Sequence, residues 1–425
     1  MFTSLIFGSL FFFKKKAEVK INIYEKIITV ITGYLILPIF ISIPYYFSIY
    51  NISFLDAYFE SLSGFTSTGF SIFDNIKHLD ESIILWRSSS QWLGGLYFLF
   101  SIILLIDIFD HNLKKSLTNF ISFNTLETLK QYSKILILYI SLTFFIFIVL
   151  NLLNIRIFDS FNLSMSLISS GGFLPVNNLS SIFNTNLKQI VLSFMILISF
   201  FSLFLSYNLI VFKKNINFYQ EDFYLLIYLI ILLPIVFFLS NSSNSFSMVF
   251  LALTSSISNV GYSIDGSYSN ISFILLILTI IGGSFFSTSS GLRFVKLYSL
   301  YKFSINELIS HVRPKNVYIT KFQFTNSKLE VNEVNKFFLT VLTFIISLIL
   351  LSTLLSFSGL EFEKSFKLSI LTLMNTVNSD IYGLNEFNFQ ELHYYTKYFI
   401  MFFMIIGRVE LLTFLIIIKK FFFKN

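Results

Sequence analysis

The chain predicts an all-α membrane protein organised as four pseudo-repeats around one axis. Three observations carry this reading. Of its 425 residues, 55% are hydrophobic and 12% charged, where a soluble domain carries about 25% charged residues. So much apolar side chain requires lipid as part of its solvent. Eight stretches are long and apolar enough to span a bilayer, and four shorter apolar stretches lie between them, each followed at once by small and polar residues.

The eight expected spans are Ile27–Ile49, Ser88–Ile106, Ile135–Asn154, Gln189–Phe212, Phe223–Leu239, Ile271–Leu292, Phe337–Gly359 and Tyr398–Ile418. The sixth carries a Gly/Ser-rich interruption, and the last contains Arg408 and Glu410. Ahead of them, an apolar run of 13 residues ends in Lys14-Lys15-Lys16. A signal peptide has its charge before the apolar run. As a helix the run rises only about 20 Å, short of a hydrocarbon core of about 30 Å. It is read as the remnant of a helix or as a short interfacial anchor.

Charge sorts the linkers into two kinds. The basic ones, Lys14–Lys26, Lys114–Lys134, Lys213-Lys214, Arg293–Lys336 and Lys419–Lys424, hold 22 of the 30 Lys and Arg residues, and the alternate linkers with their flanks hold 7. This is the positive-inside pattern, so the basic linkers and both termini are expected in the cytoplasm. It also accounts for the net charge of +7 without a nucleic-acid partner.

The short stretches Phe54–Phe65, Phe158–Ser169, Phe246–Ile257 and Phe362–Asn375 are too short to cross a bilayer. They precede Thr66-Ser67-Thr68-Gly69-Phe70, Ile168-Ser169-Ser170-Gly171-Gly172, Ser258-Asn259-Val260-Gly261-Tyr262 and Asn375-Thr376-Val377-Asn378-Ser379. Aligning Gly69, Gly171, Gly261 and Asn378 gives steps of 102, 90 and 117 residues. Four such loops in register point to an internal repeat rather than to four unrelated turns. Backbone at membrane depth must face protein or water. Carbonyls gathered on one axis replace the water shell of a cation, and glycine reaches the backbone angles this needs at least cost. The expected organisation is an N-terminal segment at 1–20, repeat 1 at 21–115, repeat 2 at 116–215, repeat 3 with an intramembrane loop at 216–310, and repeat 4 at 311–425.

Asp56–Phe70, with Trp86-Arg87-Ser88 and Gln91-Trp92-Leu93-Gly94-Gly95, resembles the first repeat of TrkH-type potassium transporters of the Trk/Ktr/HKT superfamily. Ser166–Phe173 resembles the second filter segment, Gly282-Gly283-Ser284 through Ser287-Thr288-Ser289-Ser290-Gly291 the break in the third repeat, and Gly407-Arg408-Val409-Glu410 the motif of the last span. The resemblance covers roughly residues 22–422. It implies a pseudo-four-fold pore: per repeat, a transmembrane helix, a short pore helix with a filter loop, and a second transmembrane helix. The filter residues by this resemblance are Ser67, Thr68, Gly69, Ser169, Ser170, Gly171, Asn259, Val260, Gly261, Thr376, Val377 and Asn378, with K⁺ as the ion they hold. The gate residues are Gly282, Gly283, Ser287, Thr288, Gly291 and Arg408.

The resemblance further implies K⁺ uptake at the bacterial inner (plasma) membrane, driven by the membrane potential or an ion gradient. It implies a homodimer in lipid, regulated by a cytoplasmic nucleotide-binding ring. Asn378 departs from the family's usual glycine, Phe285-Phe286 and Leu292-Arg293 from its smaller residues and lysine, and the N-terminus from its two additional helices. Three alternatives stay open: a Na⁺-permeable or poorly selective member, a non-conducting relative, and the potassium-binding subunit of an ATP-driven pump.

An enzyme is not expected. There is no Cys, none of the four His forms a ligand pair at helical spacing, and no Gly-rich nucleotide motif is present. Asp56 and Glu60 share a helix face at i, i+4, where stabilisation by the helix dipole explains them better than acid–base chemistry. No cofactor is expected.

Overall fold

The computed structural model describes residues 22–105, 128–210, 220–241, 244–312, 321–322, 327–328, 331–384, 387–409 and 411–422. The N-terminal apolar run and the Lys213-Lys214 linker lie outside the described residues, as does Glu410. The described residues are almost wholly helical. The exception is a two-residue antiparallel pairing of Lys321–Phe322 with Ser327–Lys328.

Each unit begins with a long helix: α1 (Ile23–Tyr46), α4 (Thr128–Leu152), α8 (Gln220–Leu239) and α12 (Val331–Phe357). Each is followed by a twelve-residue helix: α2 (Phe54–Phe65), α5 (Ile157–Ile168), α9 (Phe246–Ile257) and α13 (Phe362–Leu373). Ser53 and Ser245 cap α2 and α9 by accepting from the backbone amides of Asp56 and Met248, which satisfies a donor each helix start leaves free.

The units close head to tail. Every short helix packs against the long helix before it and against the second helix of the preceding unit. So α5 packs on α3 (Glu81–Leu105), α9 on α6 (Asn186–Phe200), and α13 on α10 (Ser272–Ile281). The ring closes where α2 meets α14 (Tyr394–Val409), the second helix of the last unit.

The outer surface is apolar, with Phe40 64% exposed, Ile137 63% and Phe238 92%. Ser, Thr and Asn side chains crowd the interior. An apolar exterior over an interior that mixes apolar and polar side chains belongs to a chain solvated by lipid.

Three of the eight expected spans are not single helices. Five helices are long and apolar enough to cross a membrane unbroken: α1, α3, α4, α8 and α12. The fourth expected span breaks at Phe201-Ser202 into α6 and α7 (Leu203–Ile210). The sixth stops after α10, and the chain resumes as α11 (Phe294–Val312). The eighth turns by 106° between α14 and α15 (Leu411–Phe422).

The fourth and sixth breaks satisfy each other. A free backbone group in hydrocarbon costs several kcal/mol, roughly. Here Ser284 N donates to Phe200 O (3.0 Å), Ser289 N to Ser199 O (3.2 Å), and Leu203 N to Phe286 O (3.0 Å). Carboxylates at the start of α8 take the amides that remain: Asp222 accepts from Ser202 N at 2.8 Å and Glu221 from Phe285 N at 2.9 Å.

Candidate functional site

All four short helices end in the same turn. After the caps Thr66, Ser169, Ser258 and Met374 comes a residue with left-handed backbone: Ser67 (φ +57°), Ser170 (+53°), Asn259 (+62°) and Asn375 (+47°). The next amide reaches back to the helix: Thr68 N to Ser63 O at 2.9 Å, Gly171 N to Ser166 O at 2.7 Å, Val260 N to Ser255 O at 3.0 Å, and Thr376 N to Leu371 O at 2.9 Å. This is the Schellman termination, which consumes the last helical carbonyls and reverses the chain.

These bonds set the register of the four loops. Gly69, Gly172, Gly261 and Val377 occupy equivalent places, so Gly171 and Asn378 are each displaced by one residue from the alignment expected from sequence. Asn378 stands instead where the other loops have Phe70, Phe173 and Tyr262. Ser169 is a helix cap, equivalent to Thr66, and not the first residue of its loop. A Gly-aromatic step, Gly69-Phe70, Gly172-Phe173 and Gly261-Tyr262, was the sequence signal for this register.

Side chains tie the loops to one another and to a neighbouring helix. Gln91 of the first unit accepts from Ser166 Oγ at 2.7 Å and Phe173 N at 3.2 Å in the second. Tyr262 of the third donates its hydroxyl to Phe173 O at 3.1 Å. Asn259 Nδ2 donates to Thr376 Oγ1 of the fourth at 3.1 Å, and Asn375 Nδ2 to Thr68 Oγ1 of the first at 3.0 Å. The second helices approach closely. A methyl at Gly94 or Gly407 would strike the carbonyl of Phe65 or Leu373, the last residue of the neighbouring short helix.

The first loop has an anchor of its own. Glu60, fully buried, pairs with Arg87 Nε at 2.8 Å and accepts from Ile72 N at 2.9 Å. Arg87 also donates to Ser71 Oγ at 2.9 Å and lies 4.2 Å from the centroid of Phe173. Asp56 pairs with Lys397 at 2.6 Å. Both carboxylates are thus ion-paired, a role beyond the helix-dipole effect expected for them.

The Gly282–Gly291 segment interrupts the sixth span as a loop. Gly282 (φ +72°) and Gly291 (φ +89°) meet at its base, where a methyl on Gly291 would lie 2.5 Å from Gly282 Cα. Ser287 bonds to Ser289 at 2.8 Å, and Ser289 Oγ accepts from Gly283 N at 3.1 Å. Thr288 reaches the ring, donating to Ile168 O at 2.7 Å. Arg408 joins loop to ring: its guanidinium donates to Thr288 O (3.2 Å), Ser290 Oγ (2.7 Å) and Ser67 Oγ (3.3 Å), and lies 4.0 Å from the centroid of Phe98. Arg293 donates to Ser284 O and Ser287 Oγ and faces the same Phe98 ring at 5.1 Å. Sequence reasoning missed Gly172, Asn375, Phe98 and Ser290. The Gly282, Gly283, Ser287, Thr288, Gly291 and Arg408 set does come together.

A multi-pass helical protein whose interior is a polar ring of four re-entrant turns, with a buried arginine against it, belongs to the class of membrane transport proteins rather than enzymes. The family model described as TrkH, cation transport protein, matches residues 1–240. The chain belongs to that family. Among its relatives, the uncharacterized cation transporter MJ1485 of Methanocaldococcus jannaschii is 25% identical over 327 residues, covering 74% of this chain and 67% of that one. The Trk system potassium uptake protein TrkG of Escherichia coli is 24% identical over 440 residues, covering 98% and 89%. The crystal structure of the potassium transporter TrkH from Vibrio parahaemolyticus matches with a TM-score of 0.84 at 21% identity, over 98% of this chain and 89% of that one. That likeness shows the fold.

Proposed function

We propose that this chain takes up K⁺ across the bacterial inner membrane, passing it through the ring of four loops. The observation that carries the reading is the set of hydrogen bonds that joins loop two to three, three to four and four to one, with Gln91 of α3 bonded to loop two and Arg408 bonded to Ser67 of loop one. In this reading the ring is a selectivity filter. Its oxygens come from Ser67, Thr68, Gly69, Ser170, Gly171, Gly172, Asn259, Val260, Gly261, Asn375, Thr376 and Val377, with Ser169 and Asn378 flanking it. A dehydrated cation needs such a set in place of its water shell, and the turns after the short helices aim negative dipole ends at the same place.

The Gly282–Gly291 loop and Arg408 act as the gate. A guanidinium on the cation's path raises the barrier to passage by like-charge repulsion. Moving it together with Thr288 would open the path. Inward flow needs no chemical step, because an inside-negative potential supplies about 2.3 kcal/mol per charge per 100 mV.

The basic linkers and both termini face the cytoplasm in this proposal, and the repeats run 21–115, 116–215, 216–310 and 311–425. The pore subunit pairs as a homodimer and is regulated by a nucleotide-binding ring. Arg293–Lys336, a stretch rich in Lys and Arg, is the docking candidate, although 313–320, 323–326 and 329–330 lie outside the described residues.

The test is ion flux into liposomes holding the purified chain, with K⁺, Rb⁺ or Na⁺ as the sole monovalent cation. K⁺ and Rb⁺ flux well above Na⁺ is expected. Equal fluxes would keep the pore and remove K⁺ selectivity. Absence of all three would turn the reading toward a non-conducting relative or a pump subunit.

A further inference from the structure

Three of the four equivalent ring positions are glycine and the fourth is Val377. A methyl placed on any of the three glycines would meet Val377. On Gly69 it would lie 2.8 Å from Gly172 Cα and 3.1 Å from Val377 Cβ. On Gly172 it would lie 2.9 and 3.0 Å from the two γ-methyls of Val377, and on Gly261 2.6 Å from Cγ1. Carbons in contact sit about 3.5–4.0 Å apart. One isopropyl group therefore fills the space that three glycines leave open.

Val377 is also the most accessible of the four ring positions. Gly69, Gly172 and Gly261 are buried, whereas Val377 is half-buried. The residues two further along each chain, Ser71, Leu174, Ser263 and Ser379, are half-buried as well. The ring is thus approached from the side on which Val377 stands.

The backbone of the ring is two-fold rather than four-fold in φ. Gly69 and Gly261 have φ of +83° and +77°, a region that neither Gly172 nor Val377 adopts. A β-branched residue would be strained there. What sets the fourth loop apart from all three others is its side chain, which brings two methyl groups that offer a cation no oxygen.

We propose that Val377 is a rate- and specificity-determining residue, a one-sided apolar lid over the outer ring of the cation path. This rests on the transport reading above. A dehydrated cation gains nothing from methyl groups, and an apolar constriction holds back ions by excluding their water. Removing the side chain restores a ring of four glycines. Restoring only its bulk elsewhere in the ring blocks the path.

The experiment is Rb⁺ and Na⁺ uptake into proteoliposomes by wild type, Val377→Ala, Val377→Gly, Gly172→Ala and the double variant Gly172→Ala/Val377→Gly, with monodispersity and Tm checked for each. Rb⁺ uptake is expected to rise about tenfold in Val377→Gly, the change given by lowering a barrier by about 1.4 kcal/mol. Val377→Ala, the more conservative change, is expected to fall between wild type and Val377→Gly. Gly172→Ala is expected to abolish uptake, and Val377→Gly to rescue it, because both side chains compete for one space. A merely structural valine would give lower Tm and lower uptake without rescue. Unchanged or reduced uptake in folded Val377→Gly and Val377→Ala, beside a conducting wild type, would overturn the lid and leave transport standing. A silent wild type with conducting Val377→Gly supports both. If no variant conducts either ion, the transport reading fails and the lid with it.

Discussion

The first two loops and the last two solve the same backbone problem with different side chains. Each must place a non-glycine residue in the left-handed region after its short helix, a conformation that costs roughly 1–2 kcal/mol for ordinary residues and less for Asn. Loops one and two use Ser67 and Ser170. Their hydroxyls face the Gly282–Gly291 loop and the arginine of α14 bonded to it: Ser67 accepts from Arg408 at 3.3 Å, and Ser170 lies 3.5 Å from Thr288 Oγ1. Loops three and four use Asn259 and Asn375, whose amides span to the next loop and to a helix carbonyl, Thr279 O and Met404 O respectively. One half of the ring is coupled to the candidate gate, and the other half braces the ring. A position that looks interchangeable by backbone angle is divided by what its side chain reaches.

The comparison breaks most readily at the first loop, which alone has a buried carboxylate. Leu163, Ala252 and Leu368 stand where Glu60 does. Glu60→Ala leaves Arg87 buried without its counter-ion and is expected to cost about 3–5 kcal/mol, read as a lowered Tm in detergent. The double variant Glu60→Ala/Arg87→Ala is expected to cost less than the sum of the singles, since the two act as one unit.

A smaller effect sharpens the difference at the left-handed position itself. Asn375→Ser gives the fourth loop the residue of the first. It removes two buried hydrogen bonds, to Thr68 and Met404, at a combined cost of about 1–3 kcal/mol. The expected result is a lower Tm together with a reduced ratio of Rb⁺ to Na⁺ uptake. A Tm and ratio equal to wild type would show that the brace is not needed.

The smallest effect lies outside the ring. Arg156 and Glu81 also join the first unit to the second, but both are more than half exposed. Arg156→Ala is expected to cost below about 1 kcal/mol, with Tm and uptake close to wild type. A large loss there would mean that surface pairs, and not the ring, hold the units together.

The short helices were legible because twelve apolar residues between spans have few other uses, and because a loop at membrane depth must be rich in small and polar groups. Their register was read correctly in loops one and three and missed by one residue in loops two and four. Runs of Ser, Thr and Gly are degenerate, and Gly171-Gly172 offers two choices. In loop four Asn378 looked like the substitute for glycine because Asn tolerates left-handed angles. The left-handed residue there is Asn375, three positions earlier, and the ring position went to a valine. The hydrogen bond from Thr376 N to Leu371 O and the positive φ of Asn375 distinguish these readings, and a sequence displays neither.

The sequence by itself determined that the chain lives in a membrane, that four short apolar helices recur between longer ones, and that a Gly/Ser-rich segment and Arg408 stand apart from ordinary apolar spans. These are matters of composition and spacing, which act locally and along the chain. Tertiary structure alone decided which spans break, since the break at Phe201-Ser202 is stable only because Gly282–Gly291 and the Glu221-Asp222 pair supply its missing hydrogen bonds. It also decided that Arg408 touches the first loop and that Val377 stands over three glycines. Those facts depend on groups more than a hundred residues apart meeting on one axis, where each is specified by the shape and polarity that the others leave.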